Sequence, residues 1–296
     1  MPESPEVEAL IEELDARLAG RAITDVDVVE FRVTKTRARP LPALVGERVT
    51  GATRHGKLVD LALGGSHLVV SLGRHGWARW RDVESTASDA VGDAGSAVET
   101  DAAADAALPP TLVALEFDDG STLEFTDAGD WVSLGGWVVD DPADVPAVAK
   151  LGPDPADPGF SRADFDRAVV GRRKQVKAVL QEQESLAGIG NAYSDEILHA
   201  AEVSPVAHAA ALTEAELDRL FAATIDVIRS AIEARSGVPV DQLKAAKVAD
   251  MRVHGRAGES CPVCGDTIRD FSFASTTAQY CPTCQTGGAE LPLRSA

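Results

Sequence analysis

The chain has 296 residues, 45% hydrophobic and 25% charged, which is room for two domains with substantial cores. No apolar run reaches the roughly 20 residues a helical membrane span needs, and Met1-Pro2-Glu3-Ser4 lacks the basic-then-apolar order of a secretory signal, so the expectation is no membrane and a cytoplasmic location. A net charge of −19 argues, taken alone, against a nucleic-acid partner, because phosphate binding needs Lys and Arg.

Net charge is a sum, whereas binding depends on local charge. From Asp82 to Pro110 there is no Lys or Arg, while Arg167, Arg172, Arg173, Lys174 and Lys177 lie close together. The overall acidity reads as solubility or adaptation to salt.

Residues 4–19 predict a helix. Ser4 can cap it, Pro5 suits its first turn, and Val7, Leu10, Ile11, Leu14 and Leu18 repeat at helical spacing up to Gly20. From Ala22 to Asp140 the pattern is short and strand-like: Val26, Val28 and Phe31, then Leu58–Leu63, then Leu68–Val70. Leu112–Phe117 and Thr122–Phe125 flank Asp118-Asp119-Gly120 as a hairpin. Many short strands with turn signals predict a sandwich or barrel. The Ala-, Asp- and Ser-rich stretch 83–107 reads as an exposed insertion.

Leu151-Gly152-Pro153-Asp154-Pro155 has the composition of a linker. Helical periods follow at 163–170, 174–183, 191–201, 213–234 and 240–246. The expected division is residues 1–150, 151–247 and 248–296: a β domain, a helical domain and a cysteine unit.

Cys261-Pro262-Val263-Cys264 and Cys281-Pro282-Thr283-Cys284 are two CxxC pairs with 16 residues between them. Four thiolates on two tight turns suit one tetrahedral Zn²⁺, structural because no coordination position is left open. Redox pairs or an iron–sulfur site are the rival readings. Gly188-Ile189-Gly190-Asn191 parts two helical stretches. Its glycines could admit a phosphate and Asn191 could cap the next helix, or the segment could be an ordinary corner. The motif alone does not choose.

Three features together resemble one family. They are Met1-Pro2-Glu3-Ser4-Pro5-Glu6-Val7-Glu8 at the start, Gly188-Ile189-Gly190-Asn191-Ala192-Tyr193 with Glu196, and the terminal cysteine pairs. Their order matches the formamidopyrimidine-DNA glycosylase/endonuclease VIII family. The resemblance implies an α+β fold: an N-terminal helix plus β-sandwich, a helix–two-turns–helix domain, and a C-terminal zinc-finger β-hairpin. It also implies a base-excision-repair glycosylase with abasic-site lyase activity, acting as a monomer on double-stranded DNA that contains damaged bases or abasic sites. Such an enzyme would be nucleoid-associated when bound.

The resemblance assigns the nucleophile to Pro2 after removal of Met1, the general acid/base to Glu3, a supporting role to Glu6, and a catalytic phosphate contact to Lys57. A secondary amine can attack the sugar C1′ and form an iminium, and an α-amino group is partly neutral near pH 7. The plain alternatives are that Pro2 only permits Met1 removal, that Glu3 complements a helix dipole, and that Lys57 is a solvated turn lysine. Asn191, Gly190 and Lys174 are expected on the DNA backbone. Arg74 and Trp131 are expected where the extruded base leaves a gap.

The chain departs from the family at recognition positions. Arg74 follows Leu72-Gly73 where formamidopyrimidine-type enzymes have Met. Asp130 replaces the arginine that reads the opposite cytosine, Thr276 replaces the arginine of the finger, and Glu182 replaces Asp before the glycine turn. The expectation is retained cleavage chemistry with an altered choice of lesion. The alternative is a non-catalytic damaged-DNA-binding protein of the same fold.

Overall fold

In the computed structural model, which describes residues 1–82, 108–273 and 276–291, helix α1 spans Ser4–Leu18. Its predicted stripe of Val7, Leu10, Ile11, Leu14 and Leu18 is buried. Ser4 does not cap it. Ser4 is already helical, and its Oγ is buried without a hydrogen-bond partner. The cap position falls to Glu3, whose backbone N–H donates to Glu6 Oε2 at 3.0 Å, the returning half of a capping box.

The chain divides into two compact units. One comprises residues 14–53 and 59–142, the other residues 2–13, 54–58 and 143–296. The first is built on β1 (Ile23–Val28), β2 (Val49–His55), β3 (Leu58–Leu63), β4 (His67–Ser71), β5 (Gly76–Arg81), β6 (Thr111–Phe117), β7 (Thr122–Asp127) and β8 (Gly135–Val139). They form two four-stranded sheets ordered β1-β6-β7-β5 and β2-β3-β4-β8. The hairpin expected around Asp118-Asp119-Gly120 is formed, with Leu115 opposite Leu123. Alternation fills the core: Leu115, Phe117, Leu123, Phe125, Leu61, Val69 and Val138 are buried. Trp77 is buried as well, and Trp80 stacks on Phe117 with ring centroids 6.0 Å apart. Phe31 departs from its strand-like reading. It lies beyond β1 in a 3-10 turn and is 79% exposed, while Val33 of that turn is buried. The insertion expected at 83–107 lies outside the described residues.

The second unit contains α2 (Pro146–Ala149), α3 (Arg162–Val169), α4 (Val176–Gln181), α5 (Asn191–Ala200), α6 (Glu214–Arg235) and α7 (Leu243–Asp250). Helices α3 and α6 start within one residue of the expected 163 and 213, each behind a full capping box, Ser161 with Asp164 and Thr213 with Glu216. Phe165, Val176, Leu180, Ile189, Tyr193, Ile197, Leu220 and Ile228 share one core. Helix α7 begins later than the expected 240–246, because the Gln242 N–H first closes a turn on the Pro239 carbonyl. Strands β9 (Arg269–Phe273) and β10 (Thr276–Tyr280) make the hairpin between the cysteine pairs, and α8 (Pro282–Thr286) follows. Among the described residues, no helix is long and apolar enough to cross a membrane.

Candidate active site and metal centre

The N-terminal motif and the glycine motif, some 190 residues apart in sequence, meet at one carboxylate. Glu3 is 2% exposed and accepts from the N–H groups of Gly190, Ala192 (3.0 Å) and Tyr193 (3.4 Å). These are the orphan donors at the start of α5, so a distant residue supplies the anion that helix N-termini favour. Asn191 does not cap α5. Gly190 occupies the cap position, Asn191 is the first helical residue, and its Oδ1 accepts from Gln181 Nε2 at 3.0 Å.

The glycines are explained by this docking. A Cβ on Gly190 would sit 2.5 Å from Glu3 Cδ. One on Gly188 would meet Ser4 Oγ at 1.8 Å, and Gly188 also has φ +87° and accepts from the Ser4 N–H at 3.0 Å. The openness that the sequence offers to a phosphate is used here, at these two α-carbons, by the N-terminal segment itself.

Around Glu3 the charges alternate. Glu6, 1% exposed, accepts from the Tyr193 hydroxyl at 2.7 Å and from Lys247 Nζ at 2.8 Å. Lys247 Nζ also lies 3.4 Å from Glu3 Oε1. Lys57 sits at the two-residue turn between β2 and β3 and feels both carboxylates. Burial acts to raise the Glu3 pKa, but Lys247, Lys57 and the amides of Ala192 and Gly190 outweigh it and hold it below the ordinary carboxylate value. Burial pushes the Lys57 ammonium pKa down, and Lys247 adds to this against the pull of Glu3 and Glu6. The Lys247 pKa is raised: burial opposes this, but Glu3 and Glu6 prevail. The Tyr193 pKa is raised by burial and by the Glu6 carboxylate. Pro2 is buried at the head of this cluster, and Met1 is exposed.

Behind the cluster, Arg54 pairs with Glu8 and Asp154, which braces the 54–58 turn. Lys174 is exposed and pairs with Glu182 at 2.6 Å, and Arg172 pairs with the same carboxylate. Lys177, which the sequence groups with the basic residues from Arg167 to Lys174, is buried against Asp195, Ser194 and the Asn191 carbonyl.

Arg74 and Trp131 belong to the other unit. Arg74 is exposed, and its backbone N–H donates to Ser133 Oγ at 3.0 Å. Trp131 is 82% exposed, at the crest of the loop after β7. That loop is organised by buried Asp127, which accepts from the N–H groups of Gly129 (2.9 Å), Ser133 (2.8 Å) and Leu134 (3.1 Å) and from Ser133 Oγ (2.9 Å). Burial works against ionisation of Asp127, but these donors hold its pKa below the usual aspartate value. Asp130 is exposed on the same loop. Thr276 begins β10 opposite Phe273, and its side chain lies outside the described residues.

The four cysteine sulfurs lie within 4.8 Å of one another. Sγ–Sγ distances of 3.9 Å (Cys261–Cys284) and 3.3 Å (Cys264–Cys281) bracket the roughly 3.8 Å edge of a tetrahedron with ~2.3 Å zinc–sulfur bonds. Burial and neighbouring sulfurs push the Cys281 thiol up to about 11, whereas at Cys261 the backbone N–H groups of Cys264 and Val263 outweigh burial and hold the thiol below its ordinary value, and a cation bound by all four sulfurs would release the remaining protons. The cluster therefore fits a structural metal. Two contacts tie it to α5 and the loop beyond: His199 Nε2 lies 3.3 Å from Cys261 Sγ, and Gln285 Nε2 donates to the Val203 carbonyl at 2.9 Å. Glu196 accepts from the N–H groups of Arg252, Val253 and His254 just before the finger.

The sequence gives no role to Lys247 or His199, and it gives Tyr193 only as part of the glycine motif. Lys247 looks like any cation on an amphipathic helix, and only its placement distinguishes it.

Residues 1–131 match the model of the formamidopyrimidine-DNA glycosylase N-terminal domain, and residues 151–241 match that of the formamidopyrimidine-DNA glycosylase H2TH domain. Residues 258–287 match the zinc finger found in FPG and IleRS. An uncharacterized formamidopyrimidine-DNA glycosylase-like protein of Mycobacterium tuberculosis is 46% identical over 152 residues, 51% of this chain and 95% of that protein. A formamidopyrimidine-DNA glycosylase of Mycobacterium sp. (strain JLS) is 33% identical over 308 residues, covering 96% of this chain and 97% of its own. A crystal structure of a mutant Lactococcus lactis FPG in complex with Fapy-dG-containing DNA is similar at a TM-score of 0.79 and 26% identity, covering 96% of this chain and all of that one (100%).

Proposed function

We propose, since the chain belongs to the formamidopyrimidine-DNA glycosylase family, that Pro2 and Glu3 carry its chemistry. The activity is that of a base-excision-repair DNA glycosylase and abasic-site lyase. The observation that carries the residue assignment is the Glu3 carboxylate, seated on the α5 amides directly after Pro2.

Removal of Met1 frees the Pro2 secondary amine. Its lone pair forms a bond to C1′ as the C1′–base bond breaks, and the base leaves with the electron pair of the broken bond and takes a proton from water. The amine nitrogen then loses its own proton as the C1′–O4′ bond opens to an iminium, with O4′ taking up a proton. Glu3 rests ionised, so the proton it delivers to O4′ is one it has just received. The Pro2 nitrogen, which must shed one, is the source. Loss of a C2′ proton from the iminium expels the 3′ phosphate and breaks the strand. Water then releases Pro2.

Lys57 and Asn191 would hold phosphates, with Gly190 and Lys174 beside the same backbone, and Glu6 would fix the cations and the hydroxyl around Glu3. Phosphate contacts position the duplex and leave lesion choice to other residues. Arg74 and Trp131 are the candidates for that choice, because both stand exposed on an ordered frame. Cys261, Cys264, Cys281 and Cys284 would hold one structural Zn²⁺. The partner is double-stranded DNA containing damaged bases or abasic sites, bound by a monomer in the cytoplasm, nucleoid-associated when engaged. Residues 1–150, 151–247 and 248–296 are the proposed domains.

The test is borohydride trapping of the mature protein on duplexes carrying an abasic site, formamidopyrimidine, 8-oxoguanine or thymine glycol. A covalent adduct that maps to Pro2 is the expected result. Retention of Met1, or no adduct on any duplex, would leave the non-catalytic damaged-DNA binder.

A further inference from the structure

The cluster at Glu3 holds a second cation, supplied by α7. Lys247 Nζ reaches Glu6 Oε2 at 2.8 Å and Glu3 Oε1 at 3.4 Å and lies 4.7 Å from the Tyr193 ring centroid. Its side chain is 14% exposed, beside carboxylates that are almost fully buried. Withdrawing an ammonium from water is unfavourable, so a lysine found here has to be compensated by what it touches. It touches both carboxylates of the centre and the face of the tyrosine that donates to Glu6.

We propose that Lys247 is a positioning residue of the catalytic centre: its ammonium bridges the Glu3 and Glu6 carboxylates, so that Glu3 rests ionised on the Gly190 and Ala192 amides and the Pro2 amine is left neutral for attack. This rests on Pro2 being the nucleophile.

The electrostatics follow from the groups facing the site. Helix α1 brings Glu3 and Glu6, the 54–58 turn brings Lys57, α5 brings Tyr193, and α7 brings Lys247. Lys177 on α4 also feels Glu3, and Arg235 on α6 acts on Tyr193. Two carboxylates beside a new secondary amine favour its protonated form, and nearby ammonium groups oppose that. Removing Lys247 leaves the carboxylates undercompensated. Whether the extra proton then resides on the amine or on Glu3, the cluster keeps it to higher pH. Removing the Glu6 charge while keeping Lys247 does the reverse.

The experiment is single-turnover borohydride trapping on a saturating abasic-site duplex, followed against pH for the wild-type protein, Lys247→Gln, Lys247→Arg and Glu6→Gln. Trapping on an abasic site reports iminium formation without base excision. In Lys247→Gln the rising limb should move up by about one pH unit, making trapping about tenfold slower at neutral pH and restoring it at high pH. Lys247→Arg should return the limb to its place, and Glu6→Gln should move it down. A Lys247→Gln rate lowered by the same factor at every pH would show a merely structural clamp and overturn the proposal, as would an unchanged profile. Should Lys247→Gln not fold, Glu6→Gln decides: a limb that stays or rises overturns it. No adduct from the wild-type protein would overturn the Pro2 reading itself, whereas wild-type trapping with unshifted variants overturns only the role of Lys247.

Discussion

The Glu3 centre and the loop that carries Trp131 are both organised by a buried carboxylate, yet they leave opposite things exposed. Glu3 accepts from Gly190, Ala192 and Tyr193 and is itself the candidate reactive group. Asp127 accepts from Gly129, Ser133 and Leu134 and only builds a frame, presenting Trp131 to solvent. In the first case the functional atom is fixed by backbone amides, and two glycines are required for the fit. In the second the fixed part is the support, and the presented side chain can change without disturbing it.

The largest expected effect breaks the first arrangement alone. Gly190 has φ −126°, a conformation open to any residue, so Gly190→Ala tests crowding against Glu3 and not backbone strain. Its Cβ would force the carboxylate aside by an appreciable fraction of an ångström. A misplacement of about 1 Å can cost on the order of a hundredfold in rate, which sets the upper end of the effect. We expect a loss approaching that factor in abasic-site trapping with a small change in Tm. Near wild-type trapping would mean that the seat of Glu3 on the α5 amides is not what the reaction uses.

A smaller effect is expected from the loop. Trp131→Ala removes an exposed aromatic face and no core contact. If Trp131 stacks on a base, the loss is about 1–3 kcal/mol of DNA affinity. It should appear in the half-saturating DNA concentration, not in Tm. Asp127→Ala should give the same affinity loss and a drop in Tm as well, because it strands the N–H groups of Gly129, Ser133 and Leu134, the last of them buried. Equal Tm losses in the two variants would remove the distinction between frame and presented group.

The contrast also explains what could be read in advance. The cysteine pairs were legible because metal ligation fixes their local spacing. The apolar stripe of α1 and the β6–β7 hairpin were legible because burial has a period. The cap of α5 was not: local rules look to Asn191, whereas the acceptor is Glu3, brought in by the tertiary fold. Phe31 was misread because an apolar residue after a strand carries no mark of where the strand ends. Lys247 was invisible for a related reason, since its function depends on two carboxylates elsewhere in the chain.

Helix α5 extends the comparison to its other end, where His199 lies against Cys261. Groups that hold a ligand thiolate from outside the metal's own shell typically contribute about ten- to a hundredfold in metal affinity. His199→Leu is expected to release zinc to a competing chelator by that factor, measured by chelator titration, while the four cysteines remain. Unaltered retention would make the contact simple packing.

The smallest effect concerns Glu182, the carboxylate shared by Lys174 and Arg172. Lys174, Ser185 and Arg172 hold its carboxyl at about 2. The sign follows from the ordinary value of 4.5 in the unfolded chain. A depressed folded-state pKa contributes stability that is fully present above about 4.5 and is lost as pH falls toward about 2. The group is partly solvated, so the contribution is about 1 kcal/mol or less. Glu182→Gln should therefore lower Tm slightly at neutral pH and flatten the loss of Tm between those two pH values. It also frees Lys174 and Arg172 from their shared carboxylate. If Lys174 contacts the DNA backbone, the variant should bind nonspecific duplex more tightly with a steeper salt dependence, while its preference among lesions stays as it was. A change in lesion preference would instead place Lys174 with Trp131 among the residues that choose the base.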